Sequence, residues 1–180
     1  MRRNTPMYMS LDGSLPEARA MESDEAAAEL ARRFFTSRGP ATLQDFVWWS
    51  GLSAVDARIG LEATGPHLVQ ETIGSRTYWL SRPMPTARDS SSVVYLLPGF
   101  DEYLLSYRDR SASLDLLHAK ALNAGGGVLR PTIVAEGRVI GTWKCTFEKD
   151  TAAIMASPFA ALSEAQSRAL SAAVERTARS

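Results

Sequence analysis

Asp101 and Glu102 are adjacent carboxylates, and such a pair is a candidate for acid–base chemistry. Neighbouring carboxylates in a loop, however, usually accept hydrogen bonds from backbone or arginine groups. We therefore favour a buried structural network in which Asp101 contacts Tyr103, Tyr107 or an arginine. Catalysis at this pair is the alternative interpretation.

Other residues with chemical potential give weaker signals. Asp115 and His118 lie three positions apart on a predicted helix, but no serine or cysteine nucleophile is near them in the sequence. Cys145 beside Lys144 could be activated as a thiolate, yet a cysteine on a strand is more often inert. The chain has one cysteine, and its two histidines, His67 and His118, lie far apart in the sequence. This set of residues argues against a zinc site. We expect no catalytic residue, no metal and no cofactor.

Charge bears directly on any nucleic-acid function, because duplex binding depends on neutralising phosphates. The chain has 20 basic and 20 acidic residues and no net charge. Residues 24–85 carry six arginines against seven carboxylates, a net of −1, whereas residues 108–144 carry six cations against three carboxylates, a net of +3. We expect any DNA contact in the second segment. The candidates are Arg108, Arg110, Arg130, Arg138 and Lys144.

These candidates differ in their predicted surroundings. Arg108 and Arg110 flank Asp109, so one of them can be paired internally. Arg130, Arg138 and Lys144 are predicted on the strands of a hairpin, where a solvated surface is the ordinary alternative to a phosphate-facing strip. Arg138 and Lys144 share parity, so their side chains project from one face if the strand is regular.

The elements that position these residues begin with three predicted helices. The first follows a helical pattern from Asp24 to Ser37, and Gly51 ends the second. Two helices begin with a Ser or Thr that a carboxylate follows three residues later, close to the capping-box pattern. These pairs are Thr42 with Asp45 and Ser53 with Asp56. Strand-like runs at residues 68–71 and 77–80 complete a predicted winged helix over residues 23–82.

Residues 93–180 predict a small β-rich domain that is closed by a C-terminal helix, so the fold class is α+β. Residues 1–22 are predicted to be a tail or linker, and residues 81–92 an exposed connection. The predicted elements of the second domain are a strand at 93–97, a helix at 114–122, a hairpin of 129–135 with 138–145 that turns at Glu136-Gly137, a third strand at 151–157, and a last helix that Ser163 and Gln166 cap.

The third helix occupies the position of a recognition helix, which in a DNA reader enters the major groove. Near its start it offers Ser53, Ala54, Asp56, Ala57 and Arg58, of which Asp56 would repel phosphate and the two alanines can at most touch a thymine methyl. A structural or protein-contacting role therefore fits it better. Trp48 and Trp49 point about 100° apart on a helix. We expect one in the core and the other against a neighbouring domain, with base stacking as the alternative.

Three motifs occur in one order: Gly39 to Leu52 with its Trp-Trp pair, Leu97 to Arg110, and Gly127 to Val134 followed by Gly137 to Trp143. Together they resemble the bacterial winged-helix DNA-binding protein family, over residues 24–180. That family includes the DNA glycosylases that excise alkylated purines and unhook interstrand crosslinks. The motif residues to which we assign structural roles are Trp48, Trp49, Asp101, Tyr103, Tyr107 and Trp143.

The resemblance implies the C-terminal half of a protein about twice as long, namely its third winged helix and its β domain. Family glycosylases carry a catalytic Gln-x-Gln or Gln-x-Asp in their N-terminal part. Here Gln44, Gln70 and Gln166 have neither Gln nor Asp two residues later. We expect weak, non-specific binding to double-stranded DNA without glycosidic cleavage, and an N-terminal winged-helix half or a second copy as a further partner. A protein-interaction or scaffolding module without DNA binding is the alternative.

The surroundings in which the protein works are also suggested by composition. The single cysteine suits a reducing compartment. No stretch approaches the roughly 20 apolar residues of a membrane span, and the first six residues have no apolar core behind them. We expect a cytoplasmic protein without a membrane partner.

Overall fold

The structure is a computed structural model that describes residues 21–81, 93–148 and 151–178. It mixes helices and sheets, which confirms the α+β prediction. Its first part has three helices followed by a two-stranded antiparallel sheet, the arrangement predicted for a winged helix. We call this part the winged-helix region. Its elements are α1 (Ser23–Arg38), α2 (Leu43–Ser50), α3 (Ala54–Ala63), β1 (Leu68–Ile73) and β2 (Arg76–Ser81).

The second part, the sheet region, is built on a four-stranded antiparallel sheet with the strand order β3-β4-β5-β6. Its strands are β3 (Val94–Leu97), β4 (Thr132–Ala135), β5 (Arg138–Glu148) and β6 (Thr151–Pro158). Its helices are α4 (Glu102–Leu105), α5 (Ala119–Leu122) and α6 (Glu164–Ala178). The two short helices lie between β3 and β4 in the chain, and α6 follows the sheet.

Local hydrogen bonds start and stop α2 where the sequence predicts. The hydroxyl of Thr42 accepts from the backbone N–H of Asp45 at 3.2 Å, and the Asp45 carboxylate accepts from the backbone N–H of Thr42 at 2.9 Å. Gly51 ends the helix with a left-handed backbone, φ 72°, which glycine adopts without a steric penalty. Ser163 and Gln166 exchange the same pair of bonds at the start of α6.

Three phenylalanines form the centre of the winged-helix core. Phe34, Phe35 and Phe46 are fully buried, and their ring centroids lie 5.1–5.5 Å apart. Helix α3 packs directly on α1, because Gly60 has no side chain where the two cross. A Cβ atom at Gly60 would lie 2.6 Å from the carbonyl oxygen of Ala27. The close approach of these two helices therefore depends on glycine at this position.

The four-stranded sheet is covered on both faces. On one face, Leu170 and Ala173 of α6 pack against Val94 and Ile133. On the other face, the chain between β3 and β4 covers the sheet. That second cluster contains Leu104, Leu114, Leu122, Val134 and Val139. The segment from α4 to α5 is thus fixed to the sheet by apolar packing, although it contains little regular structure.

The predicted hairpin forms with its turn at Glu136 and Gly137, both of which have positive φ, 51° and 73°. Its first strand is shorter than predicted. β4 begins at Thr132 instead of Leu129, because Leu129 bridges back to Asn123 in the loop before the strand. Arg130 therefore precedes the strand, and its predicted position on the hairpin is wrong.

The strand that carries Arg138 and Lys144 is not regular. Val134 pairs with Val139 while its neighbour Ile133 pairs with Gly141, so β5 contains one extra residue in a β-bulge. Side-chain alternation breaks at such a bulge. The condition for a shared face, a regular strand, is therefore not met, and parity no longer places Arg138 and Lys144 on one face.

Two further predictions change in detail. The predicted helix at 114–122 is split, because Asp115 accepts from the backbone N–H of Leu117 at 2.9 Å and starts a 3-10 turn. Only the four residues of α5 are α-helical. The predicted third strand is confirmed as β6, which pairs with β5. Residues 1–20 of the predicted tail and residues 82–92 of the predicted connection lie outside the described residues.

Candidate nucleic-acid interface

Glu102, at the start of α4, joins the two regions of the molecule. Its Oε2 atom accepts from the indole N–H of Trp49 at 3.0 Å and from the Nε of Arg38 at 3.3 Å. The hydroxyl of Ser106 also donates to it. The pKa of Glu102 is held below its ordinary value, by the Ser106 hydrogen bond first and by Trp49 and Arg38 in addition. The carboxylate thus acts as the hydrogen-bond acceptor for partners on both regions.

Asp101 contacts Tyr103, one of the three partners that the sequence suggested. Its carboxylate accepts from the backbone N–H of Tyr103 at 2.8 Å and caps α4. An arginine, the third of those alternatives, contacts its neighbour Glu102 instead. The two tyrosines donate elsewhere, the hydroxyl of Tyr103 to the carbonyl of Gly137 and that of Tyr107 to the carbonyl of Arg38. The adjacent carboxylates are both engaged, so the alternative of acid–base catalysis gains no support.

The paired tryptophans both reach the segment that follows β3. Trp49 packs against the phenylalanine core, and the guanidinium of Arg38 lies 4.8 Å from its ring centroid. Trp48 is 56% exposed and donates its indole N–H to the carbonyl of Leu105 at 3.1 Å. Each indole nitrogen is thus used in a contact between the two regions. Trp143 of β5 is engaged within the sheet region, where it donates to the carbonyl of Leu97 in β3 at 2.8 Å.

Asp45 places Arg108. The Asp45 side chain is buried, and one of its oxygens accepts from the backbone N–H of Arg108 at 2.8 Å. The other oxygen is used by Thr42 in the helix cap. The backbone of Arg108 is therefore fixed, while its side chain is exposed and has no ion-pair or hydrogen-bond partner among the described residues.

The other four candidate cations are in different situations. Arg110 is half-buried and donates from Nε to the carbonyl of Leu104 at 2.7 Å. Arg138 is exposed, with a 3.4 Å contact from Nη1 to the carbonyl of Ala112. Arg130 and Lys144 are exposed and have no such partner for their side chains within the described residues. Arg130 and Lys144 are thus free to meet phosphate, whereas Arg110 is partly committed.

A groove of about 1180 Å³ runs between the winged-helix region and the segment 103–113 of the sheet region. Arg108 and Arg110 line it, together with Arg58 of α3 and with Arg76 of β2, which the sequence did not single out. Arg130, Arg138 and Lys144 do not line it. The structure therefore divides the five predicted cations between the groove and the surfaces outside it.

The polar groups at the start of the third helix are used in its own cap. The hydroxyl of Ser53 accepts from the backbone N–H of Asp56 at 3.1 Å and donates to its carboxylate at 2.7 Å. Both polar groups at the start of the helix are thereby used in its cap. Val55 and Ile59 are exposed on the same helix. Of its residues, Arg58 and Glu62 are the charged ones that line the groove.

The sequence matches the DNA glycosylase AlkZ-like family over residues 2–180. The chain belongs to this family. It is 28% identical over 130 residues to the interstrand DNA cross-link repair glycosylase of Streptomyces sahachiroi, and the match covers 68% of this chain and 35% of that protein. The matched segment thus spans about a third of that relative's length.

The structure of the Streptomyces sahachiroi DNA glycosylase AlkZ is similar in fold. The two superimpose with a TM-score of 0.75 at 24% identity, over 90% of this chain and 44% of that chain. This likeness supports the α+β architecture described above. The expected relation to DNA glycosylases is confirmed at the level of the family by the match over residues 2–180.

Two further observations concern the residues of this AlkZ-like chain that the structure describes. Among the described residues, no group of three or more His, Cys, Asp or Glu side chains is placed to hold a metal ion. Within residues 21–81, 93–148 and 151–178, no helix has the length and apolar character needed to cross a membrane.

The residues that sequence reasoning missed are those that act across the two regions. Arg38 at the end of α1 and Arg76 at the start of β2 pair with Glu102 and Asp109, which are 64 and 33 positions away. No local pattern marks such pairs. The available signal was the position of Arg76 beside the hairpin turn, where a long side chain can reach a neighbouring element.

Proposed function

We propose that this chain is a DNA-binding part of an AlkZ-like DNA glycosylase and that it contacts duplex DNA through the phosphate backbone. The observation that carries the proposal is its membership of the family along nearly its whole length. The free guanidinium of Arg108 supports it, as do the exposed side chains of Arg130, Arg138 and Lys144. Arg110 has a smaller share, because one of its nitrogens already bonds Leu104.

Binding of this kind is weak and blind to sequence. The chain has no net charge, so counterion release offers little drive beyond a few local contacts. Specific reading requires Arg, Lys, Asn or Gln at base edges, and the start of α3 presents a Ser–Asp cap instead. The expected affinity is about micromolar or poorer near physiological salt, in the range of non-specific binders.

Glycosidic cleavage is not expected of these 180 residues alone. None of the three glutamines begins a Gln-x-Gln or Gln-x-Asp pair, and the side chain of Gln166 is used in the cap of α6. We propose that an N-terminal winged-helix half, or a second copy of the chain, completes the DNA-binding surface. The single exposed Cys145 fits a cytoplasmic protein.

The proposal is tested by fluorescence anisotropy with a short labelled duplex and scrambled duplexes of equal length. Binding should be weak, should have the same strength for each sequence, and should fall linearly on a plot of log K against log salt. Nanomolar binding to one sequence alone would overturn the non-specific part of the proposal. No salt-dependent binding to any duplex would overturn DNA binding itself.

A protein-interaction module is the second candidate, and one observation favours it. Leu116 and Leu117 are adjacent, large and apolar, and they are 80% and 85% exposed. Exposed apolar groups of this size often mark contact sites for other proteins. If this candidate is right, the protein forms a dimer that is stable in high salt and does not bind DNA, which sedimentation analysis at several salt concentrations distinguishes.

A further inference from the structure

The groove between the winged-helix region and the segment 103–113 has features that the phosphate contacts proposed above do not use. Its volume of about 1180 Å³ exceeds the roughly 300–1,000 Å³ of typical small-molecule sites. An ion pair between Arg76, at the start of β2, and Asp109 connects its two sides. The groove is therefore an extended site with walls that are tied together, suited to a chain-like ligand.

The charges that face the groove leave a cationic surface. Of the three carboxylates that line it, Asp45 is buried with its oxygens bonded to Thr42 and Arg108. Asp109 is paired with Arg76 and also accepts from the backbone N–H of Ser111. Glu62 is thus the remaining free carboxylate among the described lining residues. The guanidinium groups of Arg58 and Arg108 have no partner among the described lining residues. Two unpaired cations therefore outweigh the single free carboxylate of Glu62.

Aromatic rings stand beside these cations. Tyr103 and Tyr107 line the segment side of the groove, and each ring is held in place by its hydroxyl hydrogen bond. Burial raises the pKa of the Tyr107 hydroxyl, which therefore stays a neutral donor. Tyr78 and Trp79 of β2 line the opposite side. Rings that are fixed before a ligand arrives lose little conformational entropy when a ligand stacks on them.

We propose that this groove binds a short single-stranded stretch of nucleic acid, with phosphates on Arg58 and Arg108 and unpaired bases against Tyr103 and Tyr107. Cationic grooves with aromatic platforms are the general solution for single strands. Paired bases inside a duplex present only their edges and have no free face for a tyrosine. The inference rests on the proposed DNA-binding function and deepens it, since it names unpaired strands as a ligand.

The first test compares a labelled oligothymidylate with a labelled duplex for wild type and three variants. Arg58→Ala should weaken single-strand binding, lower its salt slope by about 0.7, and leave duplex binding unchanged. Arg130→Ala should do the reverse, because Arg130 lies outside the groove. Arg32→Ala, which removes a cation of α1 that pairs with Glu29, is the matched control and should change neither. Thermal melts establish that each variant is folded.

The second test maps the contact between the strand and the rings directly. An oligothymidylate with a photoreactive 5-iodouracil base is crosslinked to wild-type protein, and the modified peptides are mapped by mass spectrometry. Crosslinks at Tyr103, Tyr107, Tyr78 or Trp79 are expected, and removing the Tyr103 ring (Tyr103→Leu) should weaken oligothymidylate binding about tenfold. Polyglutamate of equal charge should compete poorly. Equal competition by polyglutamate would show a mere anion site and would overturn the proposal.

The outcomes separate this inference from the proposed function. The first case is that the duplex binds with the expected salt dependence and single strands do not bind. The second is that single strands bind, but Arg58→Ala does not weaken their binding and no crosslink maps to the groove. In either case the groove inference is wrong and the proposed function stands. If neither nucleic acid binds, the proposed function fails as well.

Discussion

Trp49 donates its indole N–H to the carboxylate of Glu102 at 3.0 Å, although 53 positions separate the two residues in the chain. This bond links α2 of the winged-helix region to α4 of the sheet region. Arg38 binds the same carboxylate and lies over the Trp49 ring. The three side chains therefore form one unit, which holds together the two sides of the molecule that border the groove.

The first prediction concerns the coupling between Trp49 and Glu102. A double-mutant cycle of Trp49→Phe and Glu102→Gln should give a coupling free energy of about 0.5–1 kcal/mol in denaturant unfolding, because the bond involves a charged acceptor that is partly open to solvent. Trp48→Phe is the control, since Trp48 donates to Leu105 and not to Glu102. Equal coupling for both tryptophans would show that the bond has no individual effect.

The second prediction concerns pH. Hydrogen bonds from Ser111, and then the bond from Arg76, lower the pKa of Asp109 from its ordinary value of 3.8 to about 2. A lowered folded-state pKa stabilises the protein above pH 3.8, and that contribution is lost as pH falls toward 2. Asp109→Asn should therefore lower the melting temperature near neutral pH, and its difference from wild type should shrink below pH 3.8.

The matched control for this pH experiment is Asp24→Asn, at the exposed start of α1. Its melting temperature should differ little from wild type across the range. If the Asp109→Asn difference stays constant from neutral to acid pH, the ion pair between Arg76 and Asp109 does not contribute to folding stability in the way proposed.

The third prediction tests the helix crossing at Gly60. Gly60→Ala should destabilise the protein by about 1–3 kcal/mol, the usual cost of overpacking, because the new Cβ would meet the carbonyl of Ala27 at 2.6 Å. Helix propensity alone predicts the opposite sign. Ala63→Gly on the same helix measures that propensity and should cost about 0.5–1 kcal/mol. A gain in stability for Gly60→Ala would show that α1 and α3 can move apart freely.

The fourth prediction is that the chain alone does not excise bases. It contains no Gln-x-Gln or Gln-x-Asp pair, and the adjacent carboxylates at 101 and 102 are engaged in structural bonds. Purified protein should form abasic sites in an N7-methylguanine duplex no faster than the buffer background. An active alkylpurine glycosylase run in parallel serves as the positive control. Abasic-site formation above background would disprove the prediction.

The fifth prediction locates the duplex contact. We expect alanine substitutions to lower the slope of log K against log salt for duplex binding by about 0.9 each. At least three of the four changes should do so, and by more than Arg58→Ala does. The four positions are Arg108, Arg130, Arg138 and Lys144. Residues 108–144 have the positive excess, whereas residues 24–85 are slightly acidic. Thermal melts exclude unfolding as the cause. If Arg58→Ala abolishes duplex binding while the other four variants behave as wild type, α3 is the DNA reader and this placement is wrong.

The sequence by itself determined the local elements, because their signals lie within a few residues. Thr42 with Asp45 and Ser163 with Gln166 form the predicted caps. The turn at Glu136-Gly137 closes the predicted hairpin. Each depends on a hydrogen bond or a backbone conformation that neighbouring residues establish alone. The α+β class, the order of the elements and the family resemblance followed from these signals.

Only the tertiary structure decided which side chains meet. The bulge in β5 interrupts the side-chain alternation between Arg138 and Lys144. Residue numbers alone do not reveal the bulge, because it arises from the pairing of β5 with β4. The groove exists because Arg108 is bonded to Asp45, 63 positions away, and Arg76 to Asp109. Such contacts depend on how two packed regions face each other. No local periodicity encodes that arrangement, so it becomes visible only when the chain is folded.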